Sequence, residues 1–155
     1  IMPYAMQPGD GSLSLIFGLT NTRKLNEDIT WGTQLKRKMV VSESGWSFGD
    51  QTEFNSWIQY PFSKQASVSS KLKFVDQDAL SGRNAAIMAP VQTANPENYG
   101  GTEVFLGLGM NINLDTFFSG NDSIGIEILK PVNQDKNNLQ MKTDYQVIIG
   151  YQKSF

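Results

Sequence analysis

At 155 residues the chain has room for one domain, and 13 Lys plus Arg against 15 Asp plus Glu leave a net charge of −2. That near-balance removes the basic footprint that nucleic acid requires. With no Cys and no His, disulfides, Cys/His zinc sites, His- or Cys-held haem and every imidazole-based nucleophile arrangement are excluded.

The opening Ile1-Met2-Pro3-Tyr4 shows no charged n-region, apolar h-region or cleavage site. No run approaches the roughly 18 apolar residues of a membrane helix. Period-2 alternation dominates instead. Leu13, Leu15, Phe17 and Leu19 alternate with Ser12, Ser14, Ile16 and Gly18, and Ile29, Trp31 and Leu35 with Gly32, Gln34, Lys36 and Lys38. Phe54, Ile58 and Tyr60 alternate with Glu53, Asn55, Trp57 and Gln59, and Ala66, Val68, Leu72 and Phe74 with Ser67, Ser69, Lys71 and Lys73. In Thr102 to Leu114 one face is wholly apolar (Val104 to Leu114), while the other carries Glu103, Phe105, Gly107, Gly109, Asn111 and Asn113. Ile124, Ile126 and Ile128 follow, and then an alternating segment from Asp144 to Phe155. Seven strands result, each close to the 9–11 or so residues that cross a bilayer at a tilt.

The connections fall into two kinds. Ser81 to Gly101 and Pro131 to Lys142 read as long links, and Pro61 to Lys64 and the turn around Ser119, Gly120 and Asn121 as short ones. Such a rhythm is that of outer-membrane barrels, although Asn21 to Asp28 is longer than a periplasmic turn should be. A soluble barrel also alternates, but shows charge on its wet face. Here the face opposite the apolar one is mostly Gly, Ser, Asn and Gln, a filling suited to a crowded, wet interior. Phe155, at the end of an alternating strand, matches the terminal strand of bacterial outer-membrane proteins. Lys153 departs from that pattern but can snorkel. Arg37 faces lipid in this register, which costs roughly 0–1 kcal/mol near a rim and about 2–4 at mid-depth.

Specific words reinforce the pattern. Pro3-Tyr4-Ala5-Met6-Gln7, Gly18-Leu19-Thr20, Trp31-Gly32-Thr33-Gln34, Pro90 to Pro96 leading to Gly100-Gly101-Thr102, Leu106 to Asn111, Pro131 to Asp135, Leu139 to Asp144 and Gly150-Tyr151-Gln152 run in colinear order. Together they resemble the C-terminal half of the bacterial outer-membrane β-barrel transporters associated with the phenol-degradation pathway. The resemblance implies a signal peptide and further strands ahead of residue 1, completing a barrel of about a dozen strands. It supplies no ligand residues.

Candidate sites follow from the inward face. Lys36, Lys38, Glu53, Lys71, Lys73, Glu103, Glu127 and Asp144 are either a charge-filtering lumen lining or a wall of cross-strand ion pairs. Arg83, Asn84, Asn95, Glu97, Asn98 and Tyr99, in the Ser81 to Gly101 link, are either a constriction folded into the lumen or a surface loop. Tyr4, Met6 and Gln7 belong to another external loop on the same face. Trp31, Trp57, Tyr60, Tyr145 and Tyr151 read as interfacial girdles or a carbohydrate platform, with Trp57 turned inward. Asp76 and Asp78 lack the Gly and the closing Glu of a calcium loop, so no metal is expected.

The reading is an all-β, antiparallel up-and-down transmembrane β-barrel: one domain over residues 1–155, its seven strands forming an open, incomplete barrel. The expected function is passage of small solutes by diffusion through a polar lumen in the bacterial outer membrane. Neither an enzymatic step nor a cofactor is expected. The expected partners are outer-membrane lipid and a small-molecule solute, not nucleic acid, with the two sheet edges completed by missing N-terminal strands or by self-association. The rivals are a soluble β-sandwich or barrel module binding a sugar or lipid, and a purely structural barrel with a plugged lumen.

Overall fold

The computed structural model describes residues 2–87, 90–114 and 121–154. It is all-β: an antiparallel sheet of seven strands curled into an open half-barrel, with a two-stranded sheet beside one end. The strands are β1 (Leu13–Lys24), β2 (Thr30–Ser42), β3 (Trp46–Ser47), β4 (Gln51–Pro61), β5 (Ala66–Gln77), β6 (Ser81–Gly82), β7 (Gly101–Asn113), β8 (Asn121–Lys136) and β9 (Gln146–Ser154). The large sheet runs β1-β2-β4-β5-β7-β8-β9, each strand beside its chain neighbour in an up-and-down order, and β3 pairs β6 separately. No helix among the described residues is long and apolar enough to cross a membrane, which says nothing of strands.

Several boundaries differ from expectation. Half of the Asn21 to Asp28 link is strand, because β1 continues to Lys24 and leaves a tight turn of 25–29. Asn26 closes that turn: its Oδ1 accepts from the backbone N–H of Asp28 (3.0 Å) and Ile29 (2.6 Å). The link expected from Pro131 to Lys142 is strand as far as Lys136. Pro131 is tolerated because β9 pairs β8 only up to Leu129, so the proline sits on a free edge, beside a bulge opposite Val104 and Phe105. Because β9 begins at Gln146, Asp144 and Tyr145 precede it in an exposed loop. The seven strands of the large sheet therefore span 9 to 16 residues, with β8 longer and β9 shorter than read from the alternation. Ser119, Gly120 and Phe155 lie outside the described residues.

The faces follow the alternation. Leu19, Leu108 and Ile149 point outward and are 75%, 72% and 71% exposed, in a band that also holds Phe17, Leu35, Ile58, Leu106 and Ile128. The inner face buries Phe105 and Leu129, each 1% exposed, against Val75. In its chemistry the sheet is inside-out.

One end of the sheet is capped. Tyr4, Trp46 and Leu80 form a buried cluster with Phe48, Ile87 and Tyr99 around it. The rings meet edge-on, Tyr4 to Trp46 at 4.7 Å and Trp46 to Phe48 at 5.4 Å, the geometry that aromatic quadrupoles favour. This end, with the N-terminal segment and the connections 43–50, 78–100 and 137–145, is the loop end. The opposite end, with 25–29 and 62–65, is the turn end.

Candidate functional site

The inner face carries the charge. Lys36 Nζ lies 3.2 Å from Glu53 Oε1, directly across the β2–β4 pair, and Lys73 Nζ lies 3.4 Å from Glu53 Oε2. Lys71 Nζ reaches Glu127 Oε2 at 2.7 Å. That pair spans two strand spacings of roughly 4.8 Å, over β7, where Gly107 and Gly109 raise no side chain between the partners. Glu103 pairs with Lys136 at 3.0 Å. Sequence reasoning misses Lys136 by placing it in a loop; the bulge after Pro131 shifts the alternation by one residue, so a period of two carried on from Ile124, Ile126 and Ile128 would have put Lys136 on the outer face.

Of the eight expected lining residues, the structure brings Lys36, Glu53 and Lys73 into one triad and Lys71 and Glu127 into a pair. Glu103 joins Lys136 nearer the loop end. Lys38 shares the inner face by alternation, opposite Gln51. Asp144 does not belong: it is exposed and outside the strands. The inner face carries these ion pairs, and Glu53, Lys71, Lys73 and Glu127 among them line a trough.

That trough has a volume of about 510 Å³ and is lined by the triad carboxylate Glu53, by Lys71, Lys73 and Glu127, and by Gln34, Asn55, Gln59 and Trp57. Trp57 points inward as expected. A Cβ on Gly32 would stand 2.2 Å from two carbons of its ring, Cε2 and Cζ2, so the indole occupies space that only glycine leaves. Of the other aromatics singled out, Trp31, Tyr60 and Tyr151 point outward near the turn ends of their strands. Arg37 points outward too, near the loop end, where its guanidinium holds Thr52 Oγ1 and Asp50 Oδ2, the latter at 3.0 Å.

The expected loop residues mostly hold the cap together. The backbone N–H of Asn84 donates to Tyr4 Oη at 2.9 Å, and Asn84 Oδ1 accepts from Ala86. Asn95 Oδ1 accepts from the Glu97 N–H, Asn98 Nδ2 donates to the Gln92 carbonyl, and Tyr99 Oη donates to the Thr93 carbonyl. Arg83 and Glu97 remain exposed. The cap does reach the inner face: Phe48 and Tyr99 share a cavity of about 290 Å³ with the inward residues Val75, Gln77, Glu103 and Lys136. Burial raises the Tyr99 phenol above its ordinary value, which keeps it neutral. Burial also pushes the Asp10 carboxyl up, but hydrogen bonds from Ser12 and from the Phe48 N–H outweigh it and hold the group below its ordinary value.

No cluster of three or more Asp or Glu able to hold a metal ion occurs among the described residues. Compared with known proteins, the chain matches no family model, no curated protein and no solved structure, so its own geometry carries the functional reading.

Proposed function

We propose that this chain forms part of the wall of a β-barrel channel in the bacterial outer membrane, passing small solutes by diffusion through a polar lumen. The observation that carries the reading is the inversion of the sheet: a broad, mostly apolar exposed band outside, interrupted by Lys130 beside Leu106, with paired charges and amides inside. An exposed apolar surface of that extent marks a lipid or protein interface. The outward Trp31, Tyr60 and Tyr151 near one rim suit an interfacial girdle. Colinear resemblance to outer-membrane transporters points the same way.

In this reading lipid covers the outer band, further strands complete the two edges, and the loop-end cap narrows one mouth. Solute crosses without a covalent step, a cofactor or nucleic acid. The test uses variants of the chain that retain Trp31 or Trp57 alone, reconstituted in vesicles of brominated phosphatidylcholine. Strong quenching of Trp31 and weak quenching of Trp57 are expected. An unquenched Trp31 would overturn the membrane reading in favour of a soluble sugar- or lipid-binding module.

A further inference from the structure

We infer that the trough around Trp57 is a binding subsite for a neutral, polyhydroxylated solute such as a sugar ring. This rests on reading the inner face as a solute path, and three features of the wall choose the ligand class. The first is the indole. The ideal Gly32 Cβ would be equally close, 2.2 Å, to Cε2 and Cζ2, with Cη2 at 2.8 Å, which places the face of the ring, not its edge, over the glycine. One face of Trp57 thus rests on backbone, and the ring lines the trough. A rigid aromatic plane fixed in a polar channel is a platform for a flat ligand with an apolar face.

The second feature is the frame around that plane. Gln34, Asn55 and Gln59 line the same trough. Each has its amide held by a neighbour: Gln34 Nε2 donates to Thr20 Oγ1 (3.0 Å), Asn55 Nδ2 to Glu53 Oε1 (2.9 Å) and Gln59 Nε2 to Ser67 Oγ (2.8 Å). Amides oriented in this way present carbonyl oxygens to hydroxyl donors at the rim of a stacked ring. A purely hydrocarbon ligand would leave them without use.

The third feature is charge. Each charged side chain here already has a partner: Lys36 and Lys73 share the Glu53 carboxylate, leaving one excess positive charge, and Lys71 holds Glu127. A charged solute must compete with a partner already seated at 2.7 to 3.4 Å, whereas a neutral ligand with hydroxyl groups needs no ion pair broken. Pairing within the wall therefore favours a neutral over an ionic ligand.

The experiment titrates the folded chain in detergent micelles with maltose, with gluconate as the anionic counterpart, and follows the heat of binding by calorimetry. A saturable change with maltose, in the millimolar range expected of a single shallow subsite, and a weaker response to gluconate are expected. Trp57→Ala and Gly32→Ala should each weaken maltose binding about tenfold or more. Trp57→Phe, which keeps a smaller plane, should retain part of it. Trp31→Phe, on the outer face, should retain all of it and shows that the fold tolerates losing an indole. Unchanged binding in Trp57→Ala, or a preference for gluconate, would overturn the inference. Brominated-lipid quenching of Trp31 reads the membrane reading separately, so the two can fail independently.

Discussion

Asp10 ties two pieces of the loop end together through one carboxylate. It accepts from the Ser12 N–H (3.0 Å), the Ser12 hydroxyl (2.7 Å) and the Phe48 N–H (3.0 Å), joining the N-terminal segment to the strand-edge loop that carries an aromatic of the cap. Its pKa is lowered in the folded chain, so the stabilisation is fully present above the unfolded carboxyl value and is lost as the pH falls through the lowered folded value. Emission from Trp46, beside Phe48 in the cap, should therefore shift over that acid range. Asp10→Asn should remove this pH dependence and show a looser Trp46 environment already at neutral pH; identical profiles would show that Asp10 does not dock the segment. Alternation alone makes the inner-face residues legible, Trp57 and the Lys36–Glu53–Lys73 group included, since strand side chains change face at every residue. Asp10 and Phe48 are not legible in that way, because their roles come from contacts between irregular segments, where no period exists.

At the scale of the element, β8 shows where sequence reading stops short. A proline in an apolar strand normally argues against a central position, and Pro131 accordingly reads as the start of a link. The strand survives because its last residues border only β7. Its free side is then met by a loop rather than by another strand. Gln134 Nε2 donates to the Thr143 carbonyl at 2.9 Å, and the Thr143 N–H donates back to Gln134 Oε1 at 2.8 Å. The side-chain amide thereby imitates a backbone partner. Further donors anchor this loop: Asn137 and Asn138 give Nδ2 hydrogens to the Tyr99 and Glu97 carbonyls, and Gln140 gives an Nε2 hydrogen to the Gly100 carbonyl. Gln134→Ala removes both bonds of the reciprocal pair and should cost about 1–2 kcal/mol of local stability. Measured by amide exchange, the Thr143 N–H should exchange about 5- to 30-fold faster while β4 and β5 are unaffected. No change at Thr143 would mean that the asparagine and Gln140 bonds alone hold the loop.

For the whole molecule the direction of the strands constrains how the sheet can close. With seven antiparallel neighbours, the first and last run the same way: β1 and β9 both pass from the loop end to the turn end. A second copy set beside the first, in the same orientation, would bring β9 against the β1 of its neighbour as a parallel pair. Transmembrane barrels are antiparallel, and a parallel seam would be the weakest part of one. An inverted copy would make antiparallel seams but would place the two aromatic caps at opposite mouths. Closure with every seam antiparallel and all caps on one side requires an odd number of additional strands. The chain has no Cys, so single cysteines report directly on the seam. Thr20→Cys on β1 and Gly150→Cys on β9, mixed in bilayers and oxidised, should yield no β1–β9 disulfide between copies. Amides on the outer edges of β1 and β9 should exchange faster than those of the doubly paired β4, β5 and β7. An efficient intermolecular cross-link, with both edges protected, would show instead that copies of this chain close the barrel themselves.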